Sequence, residues 1–287
     1  MALSPTHRFG QIIGEVLQES LRGSLAAVAK KHKLYLDSKC ERACRDGKHK
    51  VSWVDVKGNT HDLDYVLEKA GTDTVLGKPK AFIEIAYRRY TKHSRNKAQE
   101  IQGAIIPLAE AYKDDHPFLG VVVGGVFTEP SLAQLRSHGF GVLYFPFETI
   151  VAAFKTVGIN AHFDEDSADA DVQRKVDAYE KLPQADRDKI ARELLKLHKV
   201  DIGHFVHELE VSLTRTISAV FVLALHGAHH ELKTIKDAME FIEKYDEPSG
   251  AADFVRYEVN VRYSNGDELR GTFASKVEAL KFLNGLE

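Results

Sequence analysis

The chain has 287 residues, is 44% hydrophobic and 28% charged, and carries a formal net charge of −3 with a pI near 6.5. That length predicts about two domains, and the apolar content excludes a wholly disordered chain. Mild overall acidity speaks against a nucleic-acid binder, but the charge is unevenly divided: residues 1–100 carry a net of +7 and the remainder −10. A basic first third points to a polyanionic partner for that part.

Several classes drop out early. The first residues contain no apolar h-region, which predicts no secretory signal. The longest apolar run, Ile217 to Leu225, is too short for a membrane span. Two cysteines cannot build a disulfide framework. The expectation is a cytoplasmic protein with reduced thiols and no membrane partner.

Residues 8–31 read as amphipathic helix, with Ile12, Ile13, Val16, Leu17, Leu21, Leu25 and Val28 three and four apart. A basic stretch follows. Val51–Val56 is β-prone, Lys57-Gly58-Asn59 turns the chain, and His61–Glu68 reads as a second strand. On that strand Leu63, Tyr65 and Leu67 share one face, and Asp62, Asp64, Val66 and Glu68 share the other. Residues 71–79 are a loop and 80–88 a third strand. A helix over about 94–112 carries Ala98, Ile101, Ile105 and Leu108 as its stripe. Phe118–Phe127 reads as a central strand buried on both sides. A helix (about 130–138), a strand (141–146) and a helix (147–157) complete the unit.

The order α-β-β-β-α-β, then α-β-α, predicts a mixed sheet flanked by helices. The domain expectation is a catalytic domain over 1–160, an acidic linker over 161–172, a helical segment over 173–213, and a small domain over 214–287. The last part reads as two ββα units in tandem, a ββαββα domain for recognition or dimerisation. Its two copies are offset by 37 residues at Glu231 and Glu268 and by 41 at Phe241 and Phe282, and Asn265-Gly266 signals a hairpin in the second copy.

The stretch most informative about chemistry is 61–100. Asp64 and Glu84 lie 20 residues apart with a turn between, so paired strands would bring them face to face. Glu84 sits between Ile83 and Ile85, an expensive place for an unpaired carboxylate. Two carboxylates at a strand edge suit Mg²⁺, which takes one or two of them and keeps waters and phosphate oxygens. The run Arg88-Arg89-Tyr90-Thr91-Lys92-His93-Ser94-Arg95-Asn96-Lys97 follows directly and suits a phosphate backbone. The bland reading of the same residues is structural ion pairs beside a solvated helix start.

This pattern resembles the PD-(D/E)xK nuclease superfamily, which includes many restriction endonucleases. The resemblance covers roughly residues 8–157. Asp64 matches the family's first carboxylate, with Asp62 a competitor on the same strand face. Glu84-Ile85-Ala86 matches the acidic tripeptide, except that Ala86 stands where the family has lysine. Some members supply that cation from the following helix, where Lys97 matches; Arg88 is the second choice. Glu15 resembles an accessory metal-binding acid. The resemblance implies a restriction-endonuclease-like fold and a Mg²⁺-dependent endonuclease acting on double-stranded DNA, most plausibly a type II restriction enzyme and a homodimer. Asp64 and Glu84 would hold the metal and Lys97 would complete the catalytic set. Arg88, Arg89, Lys92, His93, Arg95 and Asn96 would bind DNA. The alternatives left open are a catalytically inactive DNA-binding or assembly module, motivated by Ala86, and a structure-specific repair nuclease.

Other signals fall away. The spacing from Gly71 to Lys78 is wrong for a phosphate loop, and Pro79 stands where a Ser or Thr is needed. Cys40 and Cys44 with His32 and His49 do not have a zinc spacing. The histidines at 204, 207, 226, 229 and 230 read as polar surface and turn. No Gly-x-Ser-x-Gly elbow exists.

Overall fold

The computed structural model describes residues 4–225, 228–249 and 253–286. It is a mixed α/β protein of two compact units, Met1–Glu210 and Val211–Glu287.

The first unit begins with α1 (Pro5–Lys31), whose N-cap Ser4 accepts from the His7 N–H and whose first position is proline. The apolar stripe expected on this helix is buried throughout. A five-stranded sheet follows, in the order β1 (Leu34–Ser38), β4 (Tyr65–Lys69), β5 (Lys78–Arg88), β6 (Phe118–Gly125), β7 (Phe140–Pro146). β1–β4 and β4–β5 pair antiparallel, whereas β5–β6 and β6–β7 are parallel. The parallel crossovers are α2 (Thr91–Ala111) and α3 (Glu129–Ser137), and α4 (Phe147–Lys155) closes the sequence.

The sheet is covered on both faces. Tyr65 donates its hydroxyl hydrogen to the Gln18 carbonyl, so α1 covers the face that carries Tyr65 and Ile83. The opposite face presents Val66, Phe82, Ala86, Val121 and Val123 to Ala98, Ile101, Ile105 and Leu108 of α2. This double cover explains the near-continuous apolar runs of β5 and β6.

Three expectations are corrected here. First, β1 lies in the stretch read only as basic. Its five residues are flanked by Lys33 and Lys39, which mask a short strand signal. Second, the strand expected over His61–Glu68 is two strands. β2 (Val51–Val54) and β3 (Thr60–Leu63) form a separate two-stranded ribbon, and the chain turns at Asp64 into β4. The α-β-β-β-α-β order therefore holds with β1, β4 and β5 as its strands.

Third, residues 161–172 are not a free linker. Phe163 is buried and packs edge-on against Phe9 and Phe147. The helical segment beyond it belongs to the first unit as well. α5 (Asp169–Glu180) and α6 (Gln184–Leu197) pack on α1, burying Val172, Val176, Tyr179, Ile190 and Leu194. The acidic composition was a poor guide because two apolar residues, Ala161 and Phe163, decide the packing. α7 (Lys199–Thr214) runs on to the boundary between the units.

The second unit is the tandem ββα arrangement. It comprises β8 (Ile217–Ala224), β9 (Ala228–Leu232), α8 (Ile235–Lys244), β10 (Tyr257–Tyr263), β11 (Glu268–Phe273) and α9 (Lys276–Asn284). The sheet order is β11-β10-β8-β9, antiparallel throughout. Equivalent caps open the two helices: Thr234 accepts from Asp237 N–H and Ser275 from Glu278 N–H. Val220, Val222, Val259 and Val261 meet Ala238, Ile242, Ala279 and Leu283 in one core.

No helix among the described residues is long and apolar enough to cross a membrane.

Candidate active site

The antiparallel register of β4 and β5 places Tyr65 opposite Ile83. Continuing that register by one residue, into the turn out of β3, sets Asp64 across from Glu84, where its charge acts on that carboxyl. Residues directly opposite in an antiparallel pair direct their side chains to one face. Here it is the α2 face, because Glu84 alternates with Phe82 and Ala86.

Each member of the pair is held differently. Asp64 accepts a hydrogen bond of 2.7 Å from the Ile85 N–H, which draws its carboxylate onto β5. Glu84 meets Lys97, whose Nζ is 3.7 Å from Oε1. Both side chains are mostly covered, at 19% and 17% exposure. Lys97 reaches Glu100 as well, at 3.5 Å, and Glu100 meets Arg88 at 3.5 Å. The cation that the tripeptide lacks at Ala86 thus arrives from α2. Ala86 itself is buried in the packed layer beneath.

The electrostatics are those of two acids crowded together. Burial raises Asp64 above the usual carboxylate range, only partly offset by the Ile85 N–H, Lys39 and Lys97. Glu84 is pushed up to about 8, first by burial and then by the negative charge of Asp64, against the pull of Lys97. A single cation near Glu84 is therefore not enough to ionise both acids at neutral pH. A second positive charge between the carboxylates would relieve the repulsion.

Among the described residues no group of three or more His, Cys, Asp or Glu is placed to hold a metal ion. A cage made wholly of protein, as Ca²⁺ or structural zinc prefers, is not present among them. Asp64 and Glu84 are the two carboxylates the site offers, and Mg²⁺ can bind through one or two when water and phosphate complete its shell.

The remaining candidates separate. Asp62 accepts from Lys50 Nζ at 2.5 Å and Ser52 Oγ at 2.6 Å, across the β2–β3 ribbon. Its charge reaches Glu84, but its oxygens are engaged. Glu15 is exposed and pairs with Arg8 at 3.1 Å, and no contact joins it to Asp64 or Glu84 among the described residues. Its helical face was legible, but the partner from α1's own first turns was not.

Arg88 keeps a place beside the site through Glu100, and donates to the Tyr87 carbonyl. Gly125 at the end of β6 has φ +102°, and a Cβ there would lie 2.0 Å from the Arg88 carbonyl oxygen. That close approach, with Val126 N–H donating to the same oxygen at 2.8 Å, fixes the end of β5.

Arg89 is a correction to the expected row of DNA contacts. It is only 13% exposed, donates to the Phe163 carbonyl, pairs with Asp164 at 2.6 Å, and lies 3.9 Å from the Phe147 ring centroid. It clamps the 163–164 segment to β5, and its guanidinium is turned inward. Arg95 and Asn96 are exposed on α2. The side chains of Lys92 and His93 lie outside the described residues, as does His226.

Two features escaped the sequence reading. Lys39, just past β1, is close enough for its charge to lower Asp64. A single lysine after an unrecognised strand carries no signal of its own. The second is a buried ion network. Arg42 pairs with Asp37 at 2.8 Å and with Glu68 at 2.6 Å, all three fully buried. It also donates to the Thr72 and Val75 carbonyls, and Gly77 N–H donates to Glu68. This network ties β1, β4 and the loop after β4 together, and so fixes the strand end that carries Lys39.

No protein-family model, curated protein or solved structure matches the chain.

Proposed function

We propose that the first unit is a Mg²⁺-dependent endonuclease that hydrolyses phosphodiester bonds of double-stranded DNA, as a restriction enzyme does. The observation that carries this reading is the juxtaposition of Asp64, at the turn into β4, with Glu84 on β5, both raised by burial, with Lys97 supplied from α2. The α-β-β-β-α-β order of α1, β1, β4, β5, α2 and β6 supports it, with Asp64 just before the second strand of that order and Glu84 on the third.

Asp64 and Glu84 would hold the metal. When bound, Mg²⁺ supplies polarisation of the scissile phosphate and a lowered pKa for a coordinated water. The chain's own residues do the rest. Ile85 N–H keeps Asp64 oriented toward β5. Lys97 offsets the charge of Glu84 and is placed to meet negative charge that develops on the phosphate. Arg88 and the exposed Arg95 would grip the phosphate backbone. Because a duplex offers two strands related by two-fold symmetry, the acting species would be a homodimer.

The test is plasmid cleavage in Mg²⁺ by the full chain and by Asp64→Asn, Glu84→Gln and Lys97→Ala. Cutting by the parent that each substitution abolishes is expected. Cutting that survives Asp64→Asn and Glu84→Gln would remove the site from consideration.

A further inference from the structure

Asp64 has a neighbour on each side. β1 pairs with β4 so that Ser38 is opposite Tyr65, and β4 pairs with β5 so that Tyr65 is opposite Ile83. Carried one residue further, the two registers set Lys39, Asp64 and Glu84 in one row across the sheet. All three belong to the α2 face. Asp37, two residues before Lys39, is opposite Val66, which packs in the layer under α2. Lys97 meets Glu84 at the far end of the row.

The backbone around Lys39 is held from both sides. Arg45, whose side chain is 7% exposed, donates to the Cys40 carbonyl at 2.8 Å, and also reaches the Ser38 carbonyl at 3.4 Å and Asp37 at 3.3 Å. Asp37 pairs in turn with the buried Arg42. The Lys39 side chain is in the opposite state. It is exposed, and it forms no hydrogen bond or ion pair with any described residue. The other cations beside the acids are committed: Lys97 to Glu84 and Glu100, Arg88 to Glu100 and the Tyr87 carbonyl, Lys50 to Asp62. The charge of Lys39 reaches Asp64 without an ion pair forming between them, which leaves the ammonium available to a third, negatively charged group.

We propose that Lys39 binds the scissile phosphate of the DNA from the Asp64 side, opposite Lys97. This role rests on the nuclease reading above. Neighbouring strands lie about 4.8 Å apart, so the row spans roughly 10 Å from Lys39 to Glu84. A phosphate whose oxygen completes a metal shell at the two carboxylates falls inside that span, within reach of a four-carbon stem. An ammonium is a compact point charge suited to a phosphate oxygen, and its contact is blind to base sequence. The fixed backbone at residues 38–40 returns that charge to the same place at each encounter.

The test measures kcat and KM of the full chain on plasmid DNA at saturating Mg²⁺ over a series of salt concentrations. The variants are Lys39→Ala, Lys39→Gln and Lys39→Arg, all at an exposed position, so their melting temperatures should match the parent's. Alanine and glutamine should each lower kcat/KM by on the order of tenfold to a hundredfold. The slope of log kcat/KM against log salt should become shallower by about one in both, and arginine should restore it. Alanine and glutamine variants that keep the parent's slope would overturn the phosphate contact and leave the nuclease reading standing, even if their pH profiles shift. A parent that cuts no DNA would overturn the nuclease reading, and the role of Lys39 with it.

Discussion

Glu84→Gln should separate an acid destabilised by its site from an ordinary surface ion pair. In an unfolded chain this carboxyl titrates near 4.5, whereas in the folded protein it is held up to about 8. Between those values the folded state retains a proton that the unfolded state has lost. Stability therefore falls as pH rises through the window, by at most about 1.4 kcal/mol per pH unit. Glutamine removes that penalty. The attraction to Lys97 at 3.7 Å is already contained in that raised value, and solvent at the 19%-exposed side chain screens part of the penalty. We expect the metal-free variant to match the parent near pH 5 and to be more stable by about 2 kcal/mol at pH 8.5. At roughly 2–4 °C per kcal/mol for a unit of this size, the melting temperature should rise by about 4–8 °C. Trp53 is the only tryptophan, is buried in the first unit, and contacts Phe82 two residues from Glu84, so its fluorescence reports the transition. Adding Mg²⁺ at pH 8 should stabilise the parent and leave the variant unmoved. A difference between the two proteins that stays constant from pH 5 to 9 would refute the assigned crowding. So would a variant less stable at pH 8.5.

Other outcomes follow from the same geometry. Arg42→Met leaves Glu68 buried without its cation and Asp37 with Arg45 alone, at 3.3 Å, and should cost about 3–5 kcal/mol in urea unfolding at pH 7. Burial holds the Asp37 carboxyl up, so protonation removes part of the uncompensated charge and the loss should shrink toward acid pH. Arg89→Ala should lower stability by about 1–3 kcal/mol and loosen residues 163–164, read as faster amide exchange there. The same substitution should change the salt dependence of DNA binding little, whereas Arg95→Ala should reduce its slope by about one. Gly125→Ala should be poorly tolerated, because φ is +102° and the new Cβ would meet the Arg88 carbonyl, and thermal unfolding would show it.

Much of the architecture was legible from period alone. The stripe of α1, the double-sided apolar runs of β5 and β6, and the stripe of α2 follow from which residues must leave water. The second unit was legible because its pattern occurs twice, and the equivalent caps at Thr234 and Ser275 emerge only from the structure. Glu84 was conspicuous as an acid in an apolar strand. The Lys97 position on the following helix was readable once Ala86 was seen to lack a cation.

What local pattern could not decide were the choices that depend on residues distant in sequence. Asp62 and Asp64 look alike in a strand of alternating residues. The turn between β3 and β4 sends Asp62 to Lys50 and Ser52 and Asp64 to Ile85. Arg42, Asp37 and Glu68 each read as surface charges, and only a tertiary contact across β1 and β4 makes their burial tolerable. Arg89 reads as one more base in a basic run until Phe147, Phe163 and Asp164 close around it. The sequence by itself determined the periodic elements, the unequal division of charge and the residue types available for chemistry, because hydrophobic period and composition are local properties. The tertiary structure alone decided which charges are buried, which are paired and which meet, because the cost of a charge depends on the neighbours that replace its water.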